Sequence, residues 1–313
     1  MPRSLAAFPF LLLAALGAVP LAAQAPGAAP TDFILAALAR HGIVFVGDIH
    51  PVAEPKRIVA EVLRRQDALN HVDLLALEVA SEQQPWIDRY LASEPEDTTI
   101  LLEHPRTLRA HWGASGEFLA IYRAVWAWNR ARPDHPTRIV AADIRGWPIA
   151  PLTTNMAAGG FANRDEWMAR GFLGLRRQHP DARILVFMGG YHGLRTGGGE
   201  VTVGRSVARF ERWFAGWLAD EGVRMYTILT DARQESGHGA TRVFDLLAAR
   251  GPGGNYAVPL ADVADTVERP LHDVEVDGYR LAFVPERFPL RQAADGLIVL
   301  NDANPITILE AFR

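Results

Sequence analysis

Five stretches of the chain are apolar, or nearly so, without interruption: Ile43-Val-Phe-Val46, Leu74-Leu-Ala-Leu77, Ile139-Val-Ala-Ala142, Ile184-Leu-Val-Phe-Met188 and Met225-Tyr-Thr-Ile-Leu229. Strands buried on one face alternate apolar and polar residues, whereas strands buried on both faces read as continuous runs like these. Between the first two runs, residues 54–66 place Ile58, Val59, Val62 and Leu63 on one helical face, and Pro55 stands where a helix begins. Strand, helix and strand at this spacing predict a right-handed crossover within one sheet. The fold class is α/β, a mostly parallel sheet with flanking helices.

Residues 82–135 break this rhythm. The stretch from Trp86 to Leu91 has a helical period, as does the trio Tyr122, Val125 and Trp126. We expect a helical excursion over the carboxyl ends of the strands. Trp213 and Trp217, four apart on a helical stretch, read as core packing. After Thr230 the pattern loosens. Gly251-Pro-Gly-Gly-Asn255 predicts a loop, and residues 278–284 and 296–300 predict strands. Residues 231–313 are expected to extend the same sheet, within a single α/β domain spanning residues 32–313.

The start of the sequence has a different character. Met1-Pro-Arg3 is a short positive segment, and the run from Leu5 to Val19 carries no charge. Ala23-Gln-Ala25 offers small residues for cleavage, the layout of a secretory signal peptide over residues 1–25 with a linker over residues 26–31. The rival reading is an uncleaved amphipathic anchor. The run falls short of a spanning helix, and no later stretch predicts one, so the expected location is periplasmic or secreted.

Composition narrows the function. With 313 residues, 49% of them apolar and 22% charged, the chain is neither disordered nor a fibrous repeat. The net charge of −4 argues against nucleic acid as a partner and leaves a small-molecule or peptide substrate. There is no cysteine, which excludes disulfides, thiolate metal sites, a cysteine nucleophile and a lipid-modified cysteine anchor. The basic residues are 31 arginines and one lysine, Lys56. This is mostly a coding bias, with one lysine worth watching.

The candidate chemistry lies at the strand ends. The first run leads into Gly47-Asp-Ile-His50, the second into Glu78, the third into Asp143 and the fourth into Gly189-Gly-Tyr-His-Gly193. Ligands of open parallel sheets bind beyond the carboxyl ends of the strands, so these side chains converge despite their separation in sequence. Two histidines with one or two carboxylates can hold a divalent metal such as manganese, cobalt or zinc. Alternatively, a histidine acts as general base on water, with a carboxylate fixing its tautomer. Taken singly, each residue has a plainer reading: a structural histidine, a helix-capping Glu, a turn Asp. Neither glycine-rich stretch, residues 189–193 or 197–199, has dinucleotide or P-loop spacing, and Gly113-Ala-Ser-Gly116 is one residue short of a nucleophile elbow.

Gly47-x-x-His50, Glu78 and the second glycine-rich histidine motif at 190–192 together resemble the erythromycin esterase, ChaN-like and Tiki superfamily. Leu74 through Glu78, Gln84-Pro85, Ile87-Asp88, Tyr90-Leu91, Trp112 and Tyr122 look most similar to the ChaN-like haem-uptake branch, and residues 295–307 resemble closing strands of the esterase branch. The resemblance implies different chemistry by branch. Tiki-like members are metal-dependent proteases, which would make His50, Glu78 and His192 metal ligands or their partners. Erythromycin esterases open a lactone with a histidine acting on water, which would make His50 the base beside Glu78 and His192. ChaN-like members are haem-binding lipoproteins, a pattern from which this chain departs by lacking the anchor cysteine.

Two functions follow. One is a hydrolase of an ester or amide working through His50, Glu78 and His192, with Arg57, Asp143 and Tyr191 as substrate-binding residues. For Arg57 a surface ion pair is the plain alternative. The other is a soluble haem binder, with Tyr191 or His192 as axial ligand and Trp112, Tyr122, Trp126 and Trp128 as an apolar cradle. Simple core packing is the plain alternative for those aromatics.

Overall fold

The computed structural model describes residues 27–108, 114–147, 154–203, 205–232, 253–262, 274–276, 279–283 and 290–312. The proposed leader therefore lies outside the described residues, as do Trp112 and most of the loop around residue 251.

The five apolar runs form β1 (Ile43–Asp48), β2 (Leu74–Ala80), β3 (Arg138–Asp143), β4 (Ile184–Gly189) and, further along the chain, β7 (Tyr226–Ala232). With β8 (Tyr256–Pro259) and β11 (Gly296–Leu300) they build a seven-stranded sheet in the order β3-β2-β4-β1-β7-β11-β8. Every pairing is parallel except β11 with β8. The continuous apolar runs are explained by helices on both faces. In β1, Val44 and Val46 join one core while Ile43 and Phe45 join another, and β2 and β4 alternate in the same way.

On the first face lie α1 (Pro30–Leu38), α2 (Glu54–Arg65) and α5 (Gly116–Ala131). The second face is covered by α6 (Thr154–Gln178) and α7 (Phe214–Asp220). The crossover helix predicted over residues 54–66 is α2, and it buries Val59, Val62 and Leu63 completely. The helical excursion is present as α3 (Gln84–Ala92), α4 (Thr99–Leu102) and α5. It leaves the carboxyl end of β2 through a 3-10 turn at Ser81–Gln83, and α5 then runs back beside α2. The Gln84 side chain ties α3 to the edge strand by bonding the backbone of Ile139 and Ala141. Trp213 precedes α7 and is buried, and Trp217 packs half-buried against the second core, as the core reading required.

The C-terminal region divides. Residues 296–300 enter the main sheet as β11, as predicted. The strand predicted over residues 278–284 forms β10 (Tyr279–Phe283) of a separate antiparallel sheet, β6-β5-β10-β9, with β5 (Gly199–Val203), β6 (Ser206–Phe210) and β9 (Val274–Val276). The expectation of one extended sheet is corrected there. A second glycine-rich stretch, residues 197–199, opens this hairpin. A side-chain carbon on Gly198 would fall 2.0 Å from the Phe210 carbonyl oxygen, so the glycine permits close strand approach.

The chain then returns to the carboxyl end of the main sheet as a strap. Val52 bridges Pro305, Ser115 bridges Ile308, and Ile306 N–H donates to the Pro51 carbonyl. This strap pins the loop that follows β1, the loop that carries His50. Among the described residues, no helix is long and apolar enough to cross a membrane.

Candidate active site

The carboxyl ends of β3, β2, β4 and β1 lie side by side in that order, and each delivers one of the expected residues. Asp48 closes β1 and His50 follows it. The His50 ring places Nδ1 2.9 Å from Asp48 Oδ2. The other Asp48 oxygen, Oδ1, accepts from Lys56 Nζ at 2.6 Å, and the same ammonium donates to the carbonyls of Ile49, His50 and Val52 at 2.8–2.9 Å. Asp48 and Lys56 are buried, whereas the His50 side chain keeps 20% of its surface exposed. A buried aspartate paired with an ammonium is ionised, so it accepts the Nδ1–H of His50 and leaves the lone pair on Nε2. A compact ammonium suits a ring of four oxygens that a planar guanidinium could not fill, which accounts for a lysine here in an arginine-rich chain.

Glu78 lies within β2, two residues before its end and beside a register shift between Leu77 and Ala80, rather than closing the strand as expected. Its Oε2 accepts the Gly189 N–H at 2.7 Å. A side-chain carbon on Gly189 would sit 3.1–3.2 Å from Cε1 and Nε2 of His50 and 3.4 Å from Glu78 Oε2. His50 Nε2 and the Glu78 carboxylate therefore face the same small space above Gly189, which a glycine keeps open.

Behind Glu78 stands a cation that sequence reading missed. Arg164, from α6, donates to Glu78 Oε1 at 2.6 Å and holds Asp143 through two bonds of 2.5 and 3.0 Å. Its guanidinium lies 4.2 Å over the ring of Trp147. Burial alone would lower the arginine's pKa, but Asp143 and Glu78 more than offset it and hold the group charged. The next residue, Asp165, accepts from His192 Nδ1 at 2.7 Å and from the Phe214 N–H at 2.6 Å, so it also secures the start of α7. His192 Nε2 is 3.5 Å from Glu78 Oε1. Burial works against its charged form, yet Asp165 and then Glu78 outweigh it and raise the imidazole to about 9. Arg164 Nη1 also lies 3.4 Å from His192 Nε2, so this imidazole is held from both ring nitrogens.

The structure thus joins Glu78, Asp143 and His192 in one buried network with Arg164 and Asp165, and sets partly exposed His50, with Asp48 and Lys56, beside it across Gly189. Asp143 is buried and pairs with Arg164. Arg57 makes the ion pairs foreseen as its alternative, to Glu117 at 2.9 Å and to Glu54 at 3.4 Å. Tyr191 is half-buried, with its ring 5.6 Å from that of Trp213.

A divalent metal does not fit this donor set. Arg164 occupies the side of Glu78 that His192 also faces, and both histidines direct Nδ1 to an aspartate. Among the described residues, no group of three His, Asp or Glu is disposed to hold a metal ion. Of the aromatics expected as a haem cradle, Trp112 lies outside the described residues and the other three have structural tasks. The Tyr122 hydroxyl donates to the Thr107 carbonyl, Trp126 to the Ser93 carbonyl, and Trp128 to the His135 carbonyl while stacking on His71.

No family model and no curated protein matches the sequence. Solved structures do match the fold, a mixed α/β sheet of the erythromycin esterase kind. An erythromycin esterase variant, EreC, in its open conformation superposes with a TM-score of 0.55 at 12% identity, over 89% of this chain and 95% of that one. A succinoglycan biosynthesis protein gives 0.58 at 9% identity, over 88% and 91%. A protein of Bacillus cereus gives 0.54 at 11% identity, over 91% and 95%. The likeness to these structures is one of fold, and it covers nearly the whole chain.

Proposed function

We propose that the protein is a hydrolase that cleaves an ester or amide with a water molecule activated by His50. The observation that carries this reading is the Lys56–Asp48–His50 relay, which fixes the imidazole with Nε2 over Gly189 and beside Glu78. Water in that space donates one hydrogen to His50 Nε2 and the other to Glu78 Oε2. As the water oxygen attacks the carbonyl carbon, Nε2 takes its proton and later returns it to the departing alkoxide or amine. Asp48 stabilises the imidazolium formed in between, and its own charge is balanced by Lys56. Glu78 is the weaker base, because a buried guanidinium and a backbone N–H already stabilise its ionised form. Its task is to orient the water. The arrangement supplies this chemistry without a metal ion, and the fold shared with an erythromycin esterase agrees with carbonyl hydrolysis.

A secretory leader over residues 1–25, the expectation from the sequence, would put this reaction outside the cytoplasm. The test is a panel of chromogenic and unactivated esters, lactones and amides offered to wild type and to His50→Ala. Turnover of one class by wild type and its loss in the variant are expected. Failure of wild type on every class, or equal rates for both proteins, would overturn the reading.

A further inference from the structure

At the opposite end of the sheet, where β1 and β7 begin, lies an open cleft of about 880 Å3. Its walls come from three separate places: the turn between α1 and β1, the last turn of α6, and the turn between α7 and β7. Each contributes an arginine: Arg40, Arg176 and Arg224 respectively. Arg195 also lines the cleft, and the one carboxylate among the described lining residues is Asp295. That carboxylate is already engaged, since both its oxygens pair with Arg195 and one also accepts the Thr227 N–H. Three arginines thus face the cleft without a carboxylate to balance them, in a chain whose net charge is −4.

Arg40 and Arg224 are exposed, and Arg176 between them is half-buried and held in place. Arg176 is anchored by bonds from its Nη1 to the carbonyls of His179 and Ala182, which fixes its planar fork before any ligand arrives. A side-chain carbon on Gly42 would lie 4.0 Å from Arg176 Nη2, so this fork reaches the turn that carries Arg40 and His41. Arg40 and Arg224 make no side-chain hydrogen bond or ion pair among the described residues, so their five donors each remain for a ligand. The His41 ring stacks on Tyr226 with centroids 4.4 Å apart and planes 19° from parallel, giving the cleft a flat wall beside the cations.

We propose that this cleft binds a phosphate-bearing small molecule carrying at least two negative charges, held by Arg40, Arg176 and Arg224. Guanidinium forks match the oxygen spacing of phosphate in a way that single ammonium groups do not. The site is independent of the hydrolase reading, because no residue of the network around His50 and Glu78 lines it.

The probe is inorganic pyrophosphate, titrated calorimetrically into the full chain at low ionic strength. Saturable one-to-one binding is expected, weakening steeply with added salt. Arg40→Ala with Arg224→Ala should weaken it by about tenfold or more, a change of about 1.4 kcal/mol per decade, with an unchanged thermal melt. His50→Ala should bind like wild type. Absence of saturable binding would overturn the proposal, as would equal binding by the double arginine variant. Loss of binding in His50→Ala would also overturn it, by placing the anion at the other end of the sheet.

Discussion

Arg164→Met is the substitution that most sharply tests the reading of the buried network. Methionine fills much of the space of the arginine stem but removes the cation shared by Glu78 and Asp143. All three groups are nearly inaccessible, with side-chain exposures of 5%, 1% and 0%. Removing one partner of a buried ion pair destabilises a protein by about 3–5 kcal/mol, since the remaining charge is left uncompensated. Here two carboxylates lose the same partner, so the upper end of that range, about 5 kcal/mol, is expected. The penalty belongs to the stranded charges and not to the lost contact. Combining Arg164→Met with Glu78→Gln and Asp143→Asn should therefore recover about 2 kcal/mol or more, a coupling within the range seen for residues in one network. Urea unfolding at pH 7, followed by circular dichroism, measures both values. A single variant within about 1 kcal/mol of wild type, or a triple variant no more stable than the single one, would refute the argument.

Three further outcomes follow from the same geometry. His192 is raised from an ordinary value near 6.5 to about 9, so its contribution to stability is complete below about 6.5 and is lost as pH rises toward about 9; urea midpoints should fall across that interval in wild type and stay level in Asp165→Asn, and equal slopes would contradict the assignment. Gly189→Ala places a methyl group 3.1–3.4 Å from the His50 ring and Glu78, so hydrolysis should drop by about 10²-fold while the thermal melt is retained; full activity would show that the water does not sit there. Lys56→Met strands the buried Asp48 and should destabilise the protein by about 3 kcal/mol, whereas Arg57→Ala, half-exposed in its ion pairs, should change stability by less than about 1 kcal/mol; similar urea midpoints for the two variants would contradict this.

The parallel sheet was readable because burial on both faces leaves long apolar runs, as in β1, β2 and β4; the edge strand β3 kept an apolar run although its positions alternate between buried and half-buried. The hairpin of β5 and β6 was not, because it faces solvent on one side: Val207 is 57% exposed. In the site, His50, Glu78, Asp143 and His192 stood out because each follows or ends an apolar run. Arg164 and Asp165 carried no such mark. They are consecutive polar residues inside a 25-residue helix, and one arginine among 31 is not distinguished by type or spacing. Their role depends on α6 crossing the second face of the sheet at that height, which is a tertiary fact. Lys56 was marked by its type alone, and its neighbour Arg57 attracted the substrate-binding role because a guanidinium matches a carboxylate. In the structure Lys56 is wrapped in oxygens beneath the site, and Arg57 pairs with Glu117 and Glu54.

The claim that His50 is the base meets its most direct test in chemical rescue. On the best ester of the panel, kcat/KM is measured for wild type and His50→Ala with and without added imidazole. The account predicts a loss of about 10²–10⁴-fold in the variant, partly restored by imidazole in proportion to its concentration, and no effect of imidazole on wild type. A His50→Ala protein that hydrolyses the ester at the wild-type rate would contradict it.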